Sequence, residues 1–212
     1  MKKLVTLITA FTISIFVIAQ DDYKKTMLEN IQALDTIGDA KMLNNLAATF
    51  TAIYDVKKEW QPLYYECLCY IKLSETYTNT DDRKTAIIKA ETLLNNLPEE
   101  NDEVQVLRAL YAMNYLSIDR SLWQTYLPMM NAALKKAQGI NADNPRIYYL
   151  QGILKYNMPA SMGGGHEEGI KLFQQSLQKF ENYKPIDNLT PNWGRKELEK
   201  FIQFLFSIKH SA

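Results

Sequence analysis

Apolar residues recur every three or four positions along almost the whole chain beyond residue 22. This spacing places them on one face of an α-helix, which turns once every 3.6 residues. About nine such segments follow one another, from the one marked by Met27 to the one that ends near Ile208. No stretch alternates between apolar and polar residues for long enough to indicate a β-strand. The pattern therefore predicts an all-α protein of about nine helices.

The residues between these segments are typical of helix ends. Asn101 and Asn144 each offer a side chain that can cap a helix, and Pro145 suits the first turn of the helix that follows Asn144. Pro98 follows the fourth segment, at a position where proline commonly ends a helix. Gly163-Gly164-Gly165 precedes the eighth segment, and Thr190-Pro191 is expected to open the ninth. Pro128 either kinks the sixth helix or marks its start.

The connections are short, so neighbouring helices are expected to pack antiparallel as hairpins. Hairpins begin near Trp60, Asp102 and Pro145, which gives a period of roughly 42 residues. A regular period in an all-helical chain indicates stacked antiparallel hairpins, as in an α-solenoid.

The composition narrows the class of protein further. The chain has 212 residues, a formal net charge of zero and a hydrophobic fraction of 47%, all ordinary for a globular protein. A neutral chain is a poor candidate for nucleic-acid binding, which normally needs a basic surface. Cys67 and Cys69 lie two positions apart in a predicted helix, where their side chains diverge, so we expect two buried free thiols.

The first 19 residues have the features of a secretory signal peptide. Lys2 and Lys3 precede an apolar run, and Ala19 offers a cleavage site before the polar start of the remainder. The predicted organisation is a signal peptide over residues 1–19 and one helical domain over residues 20–212. No cysteine stands at the cleavage site, so the exported protein is not expected to be a lipoprotein. The alternative is an uncleaved membrane anchor; after cleavage no stable membrane insertion is expected.

Several residues resemble the tetratricopeptide repeat family. The resemblance covers the turn Ala137–Pro145 and two motifs of large and small residues: Tyr148, Gly152 and Tyr156, then Gly169, Phe173 and Ser176. It implies an α-solenoid with a concave groove lined by the first helix of each hairpin. The units here are longer than the family's repeat of about 34 residues. The Tyr-Tyr-Leu-x-Gly stretch at 148–152, the Gly163-Gly164-Gly165 loop and Pro191-Asn192-Trp193-Gly194 also resemble uncharacterised secreted proteins of Bacteroidetes-type bacteria, and this resemblance implies a periplasmic or secreted location.

The glycine-rich stretch before the eighth helix has two interpretations. Backbone N–H groups of Gly163-Gly164-Gly165 at a helix N-terminus could bind an anion, but Glu167 and Glu168 place negative charge there. The simpler interpretation is a flexible joint within a hairpin. His166 is expected to be a solvated surface residue. The sequence shows no metal-binding or catalytic motif, so we expect no cofactor, no metal and no enzymatic activity.

One face of the seventh helix is a candidate partner-binding surface. Arg146, Tyr149, Ile153 and Tyr156 lie about one helical turn apart, and the family resemblance places them on the groove side. Arginine and tyrosine are frequent anchors of protein interfaces. The alternative is that the two tyrosines pack against the second helix of their hairpin.

The expected function is that of a non-enzymatic envelope protein that binds a peptide or protein partner in this groove. Two other functions stay open. The protein could be a structural subunit that self-assembles through exposed helices, since the last helix has apolar residues on more than one side. It could also be a ligand-binding protein or hydrolase that uses the glycine-rich loop.

Overall fold

The computed structural model describes residues 22–98 and 100–209. The predicted signal peptide, its cleavage site and His210 therefore lie outside the described residues. Within those ranges the chain forms nine α-helices, two single 3₁₀ turns and no strand. The helices are α1 (22–34), α2 (Ala40–Val56), α3 (Trp60–Thr76), α4 (Thr80–Leu94), α5 (Asp102–Ile118), α6 (Trp123–Ile140), α7 (Pro145–Asn157), α8 (His166–Asn182) and α9 (Arg195–Lys209). The predicted all-α fold class is confirmed.

Asparagine side chains cap the helices that the sequence marked most clearly. Asn101 Oδ1 accepts a hydrogen bond from the Val104 amide at 3.1 Å. Asn144 Oδ1 accepts one from the Arg146 amide at 3.0 Å, and Pro145 occupies the first helical position. Each cap satisfies an amide that has no partner within its helix. These two predicted helix starts are confirmed.

The start of the last helix was predicted wrongly. Helix α9 begins at Arg195, four residues beyond Pro191. The intervening segment buries Trp193, and Gly194 has a φ of 99°, which no residue of a right-handed helix adopts. Helix α6, in contrast, begins at Trp123 and continues through Pro128, so this proline lies inside the helix and does not start it.

The hairpins stack in chain order around a main core, and Phe173, Phe180 and Leu198 form a second, smaller cluster between the last hairpin and α9. Helix α3 packs against α2 and α4, α5 against α6, and α7 against α8, while α5 also contacts α3, α4 and α7. Stacked antiparallel hairpins are therefore confirmed. Cys67 and Cys69 are buried and unpaired inside α3, as expected.

Glycines allow α7 and α8 to approach closely. A Cβ added to Gly152 would lie 2.5 Å from the Phe173 ring, and one added to Gly169 would lie 2.5 Å from the Tyr156 Cβ. Ser176 Oγ adds a hydrogen bond of 2.9 Å to the Pro145 carbonyl across the same interface. These are the small and aromatic positions of the repeat-like motif.

Helix α9 folds back across the last hairpin. The Phe201 ring meets the rings of Tyr156 and Phe173 edge-on, with centroid distances of 5.4 and 5.3 Å. None of the helices in the described ranges is long and apolar enough to cross a membrane.

Candidate ligand groove

An open groove of about 570 Å³ lies where the ends of α5 and α7 meet the start of α6. Its lining contains four methionines, so it is called the methionine groove below. The lining residues are Met113, Leu116, Ser117, Arg120, Trp123, Leu127, Met130, Ile153, Leu154, Asn157, Met158, Pro159 and Met162. Its volume is within the range of known small-molecule sites.

Two short 3₁₀ turns shape the rim of the groove. The first, Arg120–Leu122, is closed by Asp119 Oδ1, which accepts a hydrogen bond from the Ser121 amide at 3.1 Å. The second, Ala160–Met162, follows Pro159 and ends at Gly163, whose φ is 78°. Trp123 directly follows the first turn, Met162 ends the second, and both residues line the groove.

The groove exposes large apolar side chains to solvent. Trp123 retains 52% of its surface and Met162 retains 59%, whereas Met130 at the base is fully buried. A contiguous apolar surface of this kind on a globular protein commonly marks a binding site.

The polar groups in the lining are few. Ser117 Oγ accepts a hydrogen bond from Arg83 at 2.8 Å and donates one to the Asn114 carbonyl at 2.7 Å. Asn157 Nδ2 donates to the Ile153 carbonyl at 2.8 Å. Arg120 is the only charged residue of the lining, it is exposed, and it forms no ion pair with any described residue. The groove thus combines an apolar floor with a single available cation.

The four residues predicted to bind a partner are divided between different environments. Ile153 lines the methionine groove. Tyr149 and Tyr156 are half-buried and pack against Phe173, with centroid distances of 6.4 and 6.1 Å. Burial raises the pKa of the Tyr149 hydroxyl above its usual value. The tyrosines therefore contact the second helix of the hairpin, which was the alternative interpretation, and α9 covers Tyr156 further.

Arg146 lies in the interior and has no exposed surface. Its Nη1 donates a hydrogen bond of 2.9 Å to Glu103 Oε1, and its Nη2 donates to the Pro191 carbonyl. The same Glu103 oxygen accepts from Asn144 and from Tyr183, each at 2.9 Å. Arg146 therefore joins α7 to α5 and to the segment before α9, and it does not reach the surface where a partner would contact it.

The glycine-rich loop forms a tight joint. Gly163 and Gly165 have positive φ values of 78° and 123°, and a Cβ on Gly164 would lie 2.5 Å from the Met158 carbonyl oxygen. His166 is exposed, as predicted, and its ring stacks on Tyr156 at a centroid distance of 4.3 Å. These geometries account for all three glycines by backbone requirements alone.

The methionine groove is not among the sites that the sequence predicts. Its lining comes partly from helices, where apolar residues such as Leu127 and Met130 fit the period of a core face, and partly from the loop after α7. The sequence does contain one indication of this groove: methionine and tryptophan accumulate near helix ends, at Met113, Trp123, Met158 and Met162. No group of three or more histidine, cysteine or acidic residues that could hold a metal exists in the described part of the chain.

The chain matches no family model and no curated protein. Among solved structures it is similar to the HusA haemophore from Porphyromonas gingivalis, with 25% sequence identity and a TM-score of 0.68. The match covers 86% of this chain and 92% of the haemophore chain. The likeness therefore extends over nearly the whole fold, and the neighbour is a binding protein and not an enzyme.

Proposed function

We propose that this protein binds haem or a related tetrapyrrole in the methionine groove. The observation that carries the proposal is the groove itself, a large apolar recess with exposed Trp123 and Met162 and one available cation. The similarity to a haemophore over 86% of the chain supports a tetrapyrrole as the ligand.

The chemistry of the groove suits a flat, amphiphilic anion. The macrocycle of a tetrapyrrole is apolar and aromatic, so it can stack on the Trp123 indole and displace water from Leu127 and Ile153. Its propionate groups are carboxylates, and the Arg120 guanidinium at the rim can form charge-assisted hydrogen bonds with them. Both interactions use side chains that are at least partly exposed and need no rearrangement of the core.

Thioethers are the only iron ligands that the lining offers. Met113, Met158 and Met162 retain exposed surface and could coordinate haem iron, whereas Met130 is fully buried and the lining contains no histidine, cysteine or tyrosine. Contact with the macrocycle should therefore provide most of the affinity. Iron-free protoporphyrin is expected to bind within about tenfold of haem, a difference of about 1.4 kcal/mol.

Titration of the protein with haem and with protoporphyrin, followed by Soret absorbance and Trp fluorescence, tests the proposal. We expect Trp123→Ala and Met162→Ala each to raise the dissociation constant by about tenfold, because each removes apolar contact area. Met42→Ala is the matched control, since Met42 is 50% exposed on α2, away from the groove. Equal affinity in all four proteins would show that the ligand does not use this groove.

Three finer predictions from the sequence are part of this proposal: a tetratricopeptide-like repeat, export, and the lack of enzymatic activity. The packing of Gly152, Phe173, Gly169 and Ser176 supports a divergent tetratricopeptide-like repeat. A haemophore as structural neighbour supports export to the periplasm or the cell surface, with no enzymatic activity. N-terminal sequencing of the protein from its native envelope tests cleavage after Ala19.

A protein or peptide partner is the second candidate. The observation that favours it is α9, an amphipathic helix whose Phe201 is seated against Tyr156 and Phe173. The surface that includes Tyr149, Ile153 and Tyr156 therefore already holds a helix of this chain, and a partner helix would bind there in place of α9, a common mode of peptide recognition. Arg146 would act here only by positioning α7.

Cross-linked capture from the native envelope, repeated with the Tyr149→Ala/Tyr156→Ala variant, tests this second candidate. A partner lost by the double variant while its helix content survives would support the interface. Unfolding of the double variant would show that both tyrosines are core residues. Recovery of the protein alone would favour self-assembly, which light scattering on the purified protein then measures.

A further inference from the structure

The four methionines of the methionine groove differ in how far their side chains are open to solvent. Met130 at the base is fully buried, Met113 and Met158 retain part of their surface, and Met162 retains 59%. A peroxide can oxidise a methionine thioether to a sulfoxide where it can reach the sulfur atom. The groove therefore presents oxidisable sulfur atoms on the surface that the proposed ligand would contact.

The loop between α7 and α8 holds Met162 at the rim of the groove. The Met162 amide donates a hydrogen bond of 2.9 Å to the Pro159 carbonyl, and the Gly165 amide donates one of 2.9 Å to the Lys155 carbonyl. Lys155 Nζ donates a further bond of 2.7 Å to the Gly163 carbonyl. These bonds close the loop upon itself, so the exposure of Met162 is built into the fold.

The two cysteine thiols are shielded from the same reaction. Cys67 and Cys69 have no exposed surface, and burial raises the pKa of both thiols above the usual value. The thiolate is the nucleophilic form of cysteine, so a buried and protonated thiol reacts slowly with peroxide. In the described part of the chain, exposed thioethers are therefore the sulfur groups that a peroxide meets first.

We propose that the methionine groove is a peroxide-sensitive site, in which oxidation of Met158 and Met162 to methionine sulfoxide releases the bound ligand. This inference rests on the proposed tetrapyrrole function. In the reaction, the thioether sulfur attacks one oxygen of hydrogen peroxide, so that an S–O bond forms and the O–O bond breaks. The sulfur loses two electrons, and the departing hydroxide takes the proton of the new S–OH group and becomes water.

The sulfoxide weakens binding because it is polar. Its oxygen accepts hydrogen bonds from water, and an apolar macrocycle laid over it would remove that water. Neighbours in the lining such as Leu127 and Ile153 have no side-chain donor to replace it. Burial of a polar group without a hydrogen-bond partner is costly, so we expect the dissociation constant to rise about tenfold.

Titration of the protein with protoporphyrin, before and after treatment with hydrogen peroxide, tests the proposal. An iron-free porphyrin excludes any effect of oxidation on iron coordination. Peptide mass spectrometry should find sulfoxide at Met158 and Met162 and none at Met130, while circular dichroism stays unchanged. Methionine sulfoxide reductase with its reductant should restore the original affinity.

The possible failures of the two proposals are distinguishable. If the untreated protein does not bind protoporphyrin, both the tetrapyrrole function and this inference are wrong. If treated and untreated proteins bind equally well while Met158 and Met162 are oxidised, only this inference is wrong. A loss of helix content on oxidation would also contradict it, because damage to the fold would then explain the lost affinity.

Leucine variants separate the groove methionines from other exposed methionines, since leucine is apolar and has no sulfur. After the peroxide treatment, the affinity of Met158→Leu/Met162→Leu should differ less than about twofold from that of its own untreated sample. Met42→Leu is the matched control, because Met42 is 50% exposed on α2, and this variant should lose about tenfold as the wild type does. An equal loss in the double variant would overturn the assignment to Met158 and Met162.

Discussion

Arg146 and Glu103 show how much a single buried residue can decide. Both side chains are almost completely buried, and their charged atoms are 2.9 Å apart. The Arg146 guanidinium also lies over the rings of Tyr183 and Trp193, at 5.1 and 5.5 Å. Helical spacing and the family resemblance placed this arginine on a groove, but it is a structural residue, because its charge is compensated inside the protein.

Arg146→Ala is expected to destabilise the protein by about 3–5 kcal/mol, because Glu103 would remain buried without its cation. Urea unfolding followed by circular dichroism measures the change. Arg120→Ala, an exposed arginine in the methionine groove, is the control and should change stability by no more than about 0.5 kcal/mol. A similar small effect of Arg146→Ala would mean that this ion pair does not stabilise the fold.

Glu66 is a second buried residue whose contribution to stability can be tested, in this case through its dependence on pH. It is buried on α3, and burial raises the pKa of its carboxyl group above the usual value. A carboxyl group whose pKa is raised on folding contributes most to stability at pH values below the pKa that it has in the unfolded chain. This contribution is lost as the pH rises through the pKa that the group has in the folded protein.

Glu66→Gln should therefore gain stability relative to the wild type between pH 4 and pH 7, because glutamine avoids the cost of a buried charge. Urea unfolding at both pH values measures the difference. Glu181→Gln, at an exposed position of α8, is the control. A difference between wild type and Glu66→Gln that falls with rising pH would contradict this reasoning.

Helix α9 is the element whose packing depends most on a few side chains. It contacts mainly α8, and Phe201 supplies its aromatic contacts with the last hairpin. On the same helix, Phe204 is 56% exposed and points away from that hairpin. The helix is therefore expected to open locally at a lower free energy than α3 to α6.

Phe201→Ala should release α9 while the other helices stay folded. Hydrogen exchange would show faster exchange of the amides in α9 and little change in α5, with a loss of about 2 kcal/mol in the stability of α9. Phe204→Ala is the matched control and should leave the exchange of α9 nearly unchanged. Equal effects of both variants would mean that Phe201 does not anchor the helix.

At the scale of the whole molecule, the segment before α9 links helices that are distant in sequence. Trp193 Nε1 donates a hydrogen bond of 2.8 Å to the Tyr64 hydroxyl, and the Tyr65 hydroxyl donates one of 3.1 Å to the Leu189 carbonyl. An open repeat array contacts only neighbouring units, so its ends can unfold separately. Here the last part of the chain is attached to α3 near its beginning.

The protein is therefore expected to unfold in one cooperative transition. Denaturation curves recorded by circular dichroism and by tryptophan fluorescence should coincide, since Trp60, Trp123 and Trp193 report on different hairpins. Trp193→Phe, which removes the link to Tyr64, should lower cooperativity and separate the curves. Two transitions in the wild type would show that the hairpins unfold independently despite these contacts.

Apart from the start of α9, the helices and the order of the hairpins follow from the sequence alone. Helical periodicity and capping residues such as Asn101 and Asn144 act over a few neighbouring residues, so their effect can be recognised without knowledge of the fold. The same holds for the buried thiols of Cys67 and Cys69, which lie on a helix that is apolar on several sides.

Only the tertiary structure decided where the functional surfaces lie. The methionine groove combines side chains from three different helices and a loop, and the sequence predicted only Ile153 among the residues that line it. Arg146 and Tyr156 fit the pattern of an exposed face, yet Pro191 and α9 cover them from the far end of the chain. Periodicity shows which face of a helix is apolar, but long-range packing determines what covers that face and where a recess remains.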